Sequence, residues 1–148
     1  MYFTATAEKT NLLEFPKDVP QPIGNGESIL IVDDVAEQRE ITTKILQELG
    51  YSVDAVKSGE SAVAFLKKGP VDLLMLDMYM EPGMDGLDTY RRVLKLHPNQ
   101  KAIIASGYAE TSRVREALKL GAGSFIRKPF FMDTISKVIR AELDKRVG

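Results

Sequence analysis

Between residues 28 and 146 the chain repeats one pattern five times: a short apolar run, a turn, then apolar residues at helical spacing. The runs cover residues 29–32, 51–56, 73–76, 102–105 and 124–126. Short β-branched and leucine-rich runs of this length read as strands, and those without a polar alternate position read as strands buried on both faces. The segments between them read as amphipathic helices. The first places Ile41, Ile45, Leu46 and Leu49 on one face and stops at Gly50. The second opens at Ser58, a fitting N-cap although Ser61 replaces the acid of a full capping box, and carries Ala62, Val63, Phe65 and Leu66. The third spans residues 87–96 and stops at His97-Pro98. The fourth spans residues 109–120, with Val114, Ala117 and Leu118 inward and Gly121 as C-cap. The fifth spans residues 132–146, with Ile135, Val138, Ile139 and Leu143 on one face.

Strands alternating with helices through short loops predict a parallel α/β sheet covered on both faces. Right-handed crossovers favour the doubly wound, flavodoxin-like (βα)5 arrangement with strand order 2-1-3-4-5. That order sets the first and third strands side by side at the switch point, where ligands bind beyond the carboxyl ends of the strands. The first strand ends in Asp33-Asp34 and the third in Asp77, so the three carboxylates are expected at one edge. Alone, Asp77 could equally cap the loop that follows it. Residues 1–27 differ: Pro16, Pro20, Pro22, Gly24 and Gly26 mark an extended linker. Residues 2–6 could form a short strand. The folded domain is expected at residues 28–148.

Composition narrows the chemistry. A net charge of −1 gives no electrostatic support for direct nucleic-acid binding. With no cysteine there are no disulfides, thiolate metal sites or cysteine nucleophiles, and a single histidine argues against zinc or copper. No apolar run reaches the roughly 20 residues of a membrane span, and the start lacks a signal-peptide pattern, so a cytoplasmic location is expected.

Three carboxylates in one cleft raise one another's pKa unless a cation lies among them, and a hard ion such as Mg²⁺ suits oxygen ligands. The neighbouring strand ends add a hydroxyl, Ser106, and a fixed positive charge, Lys128. Carboxylates, Mg²⁺, hydroxyl and ammonium together suit a phosphoryl group. Asp33 and Asp34 are better placed to hold metal, which leaves Asp77 as the nucleophile.

Five stretches carry a resemblance: 31–34 (Ile-Val-Asp-Asp), 76–78 (Leu-Asp-Met), 82–86 (Pro-Gly-Met-Asp-Gly), 104–108 (Ile-Ala-Ser-Gly-Tyr) and 121–130, which contains Lys128-Pro129. In this order and spacing, residues 28–146 resemble the receiver domain of two-component response regulators. The resemblance implies that Asp77 accepts phosphate from a histidine kinase or a histidine phosphotransfer domain. It implies that Asp33, Asp34, Asp77 and the backbone carbonyl of Tyr79 hold Mg²⁺, and that Lys128 contacts the phosphate. Ser106 stands at the switch hydroxyl and Phe125 at the rotating aromatic, and Lys128–Pro129 matches a cis peptide bond. The face of the fourth helix, fifth strand and fifth helix becomes a candidate homodimer surface. Two departures matter: Glu81 delays the proline after the phosphoacceptor by one residue, and Tyr79 and Tyr108 are bulky at positions that tune dephosphorylation. Residues 2–6 with the following linker look like the end of a histidine-kinase ATP-binding domain. The chain is then either the C-terminal receiver of a hybrid kinase or a stand-alone receiver with a leader.

Two other readings compete. An aspartyl phosphatase of the haloacid dehalogenase type needs a second Asp two residues after the nucleophile, where this chain has Tyr79. A pseudo-receiver acting only as an interaction module would not need the full set of Asp33, Asp34, Asp77, Ser106 and Lys128. The isolated chain is expected to be a phosphoacceptor and not an enzyme, a status left open if it belongs to a hybrid kinase. His97 is expected to be a solvated helix-end residue, and Arg113, Arg115, Glu116 and Lys119 a solvated helix face. Met75, Met78, Met80 and Met84 are expected to fill core and loop packing.

Overall fold

A strand apolar at every position needs cover on both sides, and the chain supplies it by crossing the sheet with a helix after each strand. The computed structural model describes residues 24–80, 83–107 and 110–145. The strand expected at residues 2–6, nearly all of the expected 1–27 linker, Glu81, Tyr108, Ala109 and Arg146 lie outside the described residues. Ten elements alternate: β1 (Ser28–Val32), α1 (Ala36–Glu48), β2 (Ser52–Val56), α2 (Gly59–Leu66), β3 (Leu73–Asp77), α3 (Gly86–Leu96), β4 (Ala102–Ser106), α4 (Ser112–Leu120), β5 (Ser124–Arg127) and α5 (Met132–Leu143). The strands form one parallel sheet in the order β2-β1-β3-β4-β5, the flavodoxin-like order expected.

Strand periodicity divides the core in two. Leu30, Val32, Leu74, Leu76, Ala102 and Ile104 point to one face, where Ala62 and Leu66 of α2, Leu87 and Val93 of α3, and Val114 and Ala117 of α4 cover them. Ile29, Ile31, Leu73, Met75, Ile103 and Ala105 point to the other, beneath Leu46 of α1 and Ile135 and Ile139 of α5. Met78 and Met80 join the first cluster, as the packing reading of the methionines expected.

The local stops follow the residues. Ser58 caps α2 by accepting the Ser61 N–H at 3.0 Å. Gly50 follows α1 with φ of +97°, a conformation that glycine adopts cheaply. Three expectations change. Ile41 is not on the buried face of α1: it is 59% exposed, and Thr42 is buried in its stead. The stripe that meets the sheet runs through Thr42, Leu46 and Leu49, four and three positions apart, and leaves Ile41 to one side. His97 is half-buried, and its Nε2 lies 2.6 Å from the carbonyl oxygen of Leu66, tying the end of α3 to the end of α2. Arg113 and Glu116 are not simply solvated, since they pair with Asp85 and Arg91 respectively. Two helix bounds also move: α4 starts at Ser112 because Thr111 is its N-cap, and α5 ends at Leu143, whose carbonyl accepts from Lys101 Nζ at 2.8 Å.

Candidate functional site

Register brings the acids together. Val32 pairs with Leu76, so Asp33 and Asp77 each stand one residue further along adjacent strands. Asp77 pairs with Ala105, and Ser106 pairs with Arg127, which sets Ser106 and Lys128 beside them. Asp33, Asp34 and Asp77 each offer a carboxylate oxygen, and the three atoms lie within 4.8 Å of one another. This is the convergence expected from the strand order.

Backbone geometry holds the cleft. Asp33 Oδ1 accepts the Val35 N–H at 2.9 Å, which secures the turn into α1. The Met78 N–H donates to the Ala105 carbonyl at 2.8 Å, and the Lys128 N–H donates to the Ser106 carbonyl at 2.9 Å. The chain after β3 then doubles back, and the Gly86 N–H donates to the Met78 carbonyl at 2.8 Å. A Cβ on Gly86 would sit 2.7 Å from the Asp77 carbonyl oxygen, so only glycine permits this approach. Lys128–Pro129 is cis, in line with the resemblance.

Lys128 reaches into the acids. Its Nζ is 2.7 Å from Asp33 Oδ2 and 3.5 Å from Asp77 Oδ2, and it also donates to Gln38 Oε1. Asp33 and Asp77 are buried and Asp34 is half-buried. Burial pushes the Asp77 carboxyl up to about 6, against the pull of Lys128 and with the repulsion of Asp33 and Asp34. The Tyr79 N–H, which bonds to the carboxylate, works in the opposite direction to burial. One ammonium among three acids leaves the cluster short of positive charge. The donor set is all oxygen, with no sulfur or imidazole, which fits Mg²⁺ and not a thiophilic metal.

Ser106 is fully buried at the end of β4, and Phe125 is half-buried against the core on β5. Tyr79 is half-buried two residues beyond Asp77. Sequence reasoning did not single out Gln38, which meets Lys128, or Arg39, whose Nη1 donates to the Asp33 carbonyl at 2.8 Å. Both lie in the first turn of α1, one helical step past the acidic pair, and nothing in their residue type marks them out. Beside them, Ile41, Ile45, Pro129 and Phe130 line an apolar groove of about 400 Å³ that Lys128 shares with the acidic cleft.

Known proteins of the same pattern exist. The family described as response regulator receiver domain matches residues 29–140. The chain is 38% identical over 106 residues to the chemotaxis protein CheY of Thermotoga maritima, covering 71% of this chain and 88% of that protein. It is 33% identical over 117 residues to sporulation initiation phosphotransferase F of Bacillus subtilis, covering 79% of this chain and 94% of that one. Among solved structures, a CheY-like response regulator receiver domain protein from Methanospirillum hungatei superposes with a TM-score of 0.75 at 29% identity, over 80% of this chain and 94% of that one. With the family match spanning β1 through α5 and the same sheet beneath it, the chain belongs to the response regulator receiver domains of two-component systems.

Proposed function

We propose that this receiver is a phosphorylation switch in which Asp77 takes a phosphoryl group from the phosphohistidine of a histidine kinase or phosphotransfer domain. The observation that carries the reading is the meeting of the Asp33, Asp34 and Asp77 oxygens within 4.8 Å beside Lys128 Nζ. An Asp77 carboxylate oxygen attacks phosphorus, the P–N bond breaks, and the imidazole leaves with the bond's electron pair. Asp33, Asp34, Asp77 and the Tyr79 carbonyl would hold Mg²⁺, which when bound neutralises charge on the transferring oxygens. Lys128 supplies the second positive charge, and Ser106, at the end of the adjacent strand, hydrogen-bonds a phosphoryl oxygen. Drawing Ser106 toward that oxygen opens space behind it, and Phe125 turns into the space.

The exposed apolar groove of Ile41, Ile45, Pro129 and Phe130 suits docking of the phosphodonor, because it shares Lys128 and Phe130 with the cleft that holds Asp33 and Asp77. Residues 28–148 form the switch, and residues 1–27 form an extension or linker ahead of it. Output passes through protein partners or a homodimer on the α4–β5–α5 face, without direct nucleic-acid contact, and the domain works in the cytoplasm as a phosphoacceptor and not as an enzyme. Among the described residues, no helix is long and apolar enough to cross a membrane.

Intact-protein mass after incubation with acetyl phosphate tests the site. One phosphoryl adduct that requires Mg²⁺ and is lost in Asp77→Asn supports the reading. No adduct on the folded wild type, or an adduct that persists in Asp77→Asn, overturns it. Sustained turnover of a phosphate ester would instead support the phosphatase reading.

A further inference from the structure

Tyr79 is bound to two parts of the molecule at once. Its N–H donates to the Asp77 carboxylate. At the far end of the same residue, the phenol donates to Thr111 Oγ1 at 2.7 Å. Thr111 is the N-cap of α4 and accepts the Val114 N–H at 3.4 Å. The hydroxyl that closes the first turn of α4 is therefore held by the residue two positions after the nucleophile.

A second tie reaches the same turn. The Arg113 Nη2 donates to Asp85 Oδ1 at 3.0 Å and to Asp88 Oδ1 at 3.3 Å, while its Nε contacts Asp85 Oδ2. Asp85 is the N-cap of α3, accepting the Asp88 N–H at 2.9 Å. The start of α4 is thus fastened to the chain after β3 on one side by a rigid aromatic side chain and on the other by a guanidinium. These two ties differ in what they join. Arg113 links one helix start to another, whereas Tyr79 alone among them also touches the carboxylate that reacts.

We propose that Tyr79 is a positioning residue that carries a change at Asp77 directly to the first turn of α4 through its hydrogen bond to Thr111, separately from Ser106 and Phe125. The proposal rests on Asp77 as the phosphoacceptor. Converting the Asp77 carboxylate to an acyl phosphate alters the acceptor of the Tyr79 N–H. The ring, packed against the core, passes the resulting displacement to Thr111 and not to solvent. An N-cap bond is a local, two-way lock on the first turn, so the start of α4 tightens or frays according to where the phenol lies.

The test is Tyr79→Phe, which removes one oxygen and keeps the ring, followed by NMR on the ¹⁵N-labelled chain. In the metal-free protein, hydrogen exchange at the Val114 and Arg115 amides is expected to speed up about two- to tenfold, the range for one lost hydrogen bond, with amides of β3 unchanged. On adding Mg²⁺ and beryllium fluoride as an acyl phosphate mimic, shift changes across residues 112–116 should fall below about half of wild type, while those at Ser106 and Phe125 persist. Thr111→Ser, which keeps the hydroxyl, should behave as wild type. Wild-type exchange and wild-type α4 response in Tyr79→Phe would overturn the proposal with the phosphoacceptor reading intact. A wild type with no response to beryllium fluoride anywhere would overturn that reading, and the transmission with it.

Discussion

Replacing Asp77 with Asn should make the metal-free protein more stable at neutral pH, even though it removes the proposed phosphoacceptor. Burial, opposed by Lys128 and reinforced by Asp33 and Asp34, lifts the Asp77 carboxyl from 3.8 to about 6. Between those values the native protein binds more protons than the unfolded chain. Stability therefore falls as pH rises through that window, and the whole loss is present above it. Fully expressed, the displacement is worth about 3 kcal/mol. The cleft opens to water beside the half-buried Asp34, and screening there reduces the figure to about 1–2 kcal/mol. Asn keeps an oxygen for the Tyr79 N–H, and Lys128 keeps Asp33 at 2.7 Å, so little else is lost. Urea unfolding in a chelator, followed by circular dichroism, measures the gap between variant and wild type. The variant should lead by about 1–2 kcal/mol near pH 7.5, by roughly half that near pH 5, and by about a fifth of it near pH 4. Adding Mg²⁺ at about a hundred times its Kd should reverse the order, because such a ligand stabilises its site by about 2.7 kcal/mol and the variant lacks one carboxylate. Equal stability near pH 7.5 in chelator, or a gap that does not change with pH, would refute the reasoning.

Ile41→Ser should leave folding stability within about 0.5 kcal/mol, since the side chain is 59% exposed. It should slow phosphotransfer from a kinase phosphohistidine about tenfold while leaving acetyl phosphate labelling unchanged, and equal slowing of both would remove the groove from donor docking. Gly86→Ala drives a Cβ to 2.7 Å from the Asp77 carbonyl and 2.8 Å from Met78 Cα, and should cost about 1–3 kcal/mol in urea unfolding. Glu27→Gln should cost about 0.5 kcal/mol at neutral pH. Burial alone would raise the Glu27 carboxyl, but its bond to Arg140 at 2.8 Å holds it below 4.5. That contribution is present above about pH 4.5 and lost as pH falls through the native value, opposite in sign to Asp77, so the deficit of the Gln variant should close in acid.

Much of this protein was legible in its residue order because strand and helix periods are local. Five apolar runs, their intervening amphipathic stretches, a helix stop at Gly50 and a helix start at Ser58 follow from neighbours a few positions apart. The acids were legible too, since a carboxylate at the end of an apolar strand has no packing reason to be there. The single histidine and the lack of cysteine pointed any metal at these acids toward a hard ion. The exact stripe of α1 was not legible. Ile41 and Thr42 are both plausible on a helix face, and only the docking of Leu46 and Leu49 on the sheet decided that the threonine is buried. His97 likewise found its partner, Leu66, only through the packing of α3 on α2. The bonds that tie the cleft and its surroundings together lie further still from local pattern. Lys128 meets Asp33 across 95 residues, and Tyr79 meets Thr111 across 32. Residue order determined which chemical groups stand at the strand ends. Tertiary structure decided which of them touch, because strand register and crossover packing set those distances and no local period encodes either.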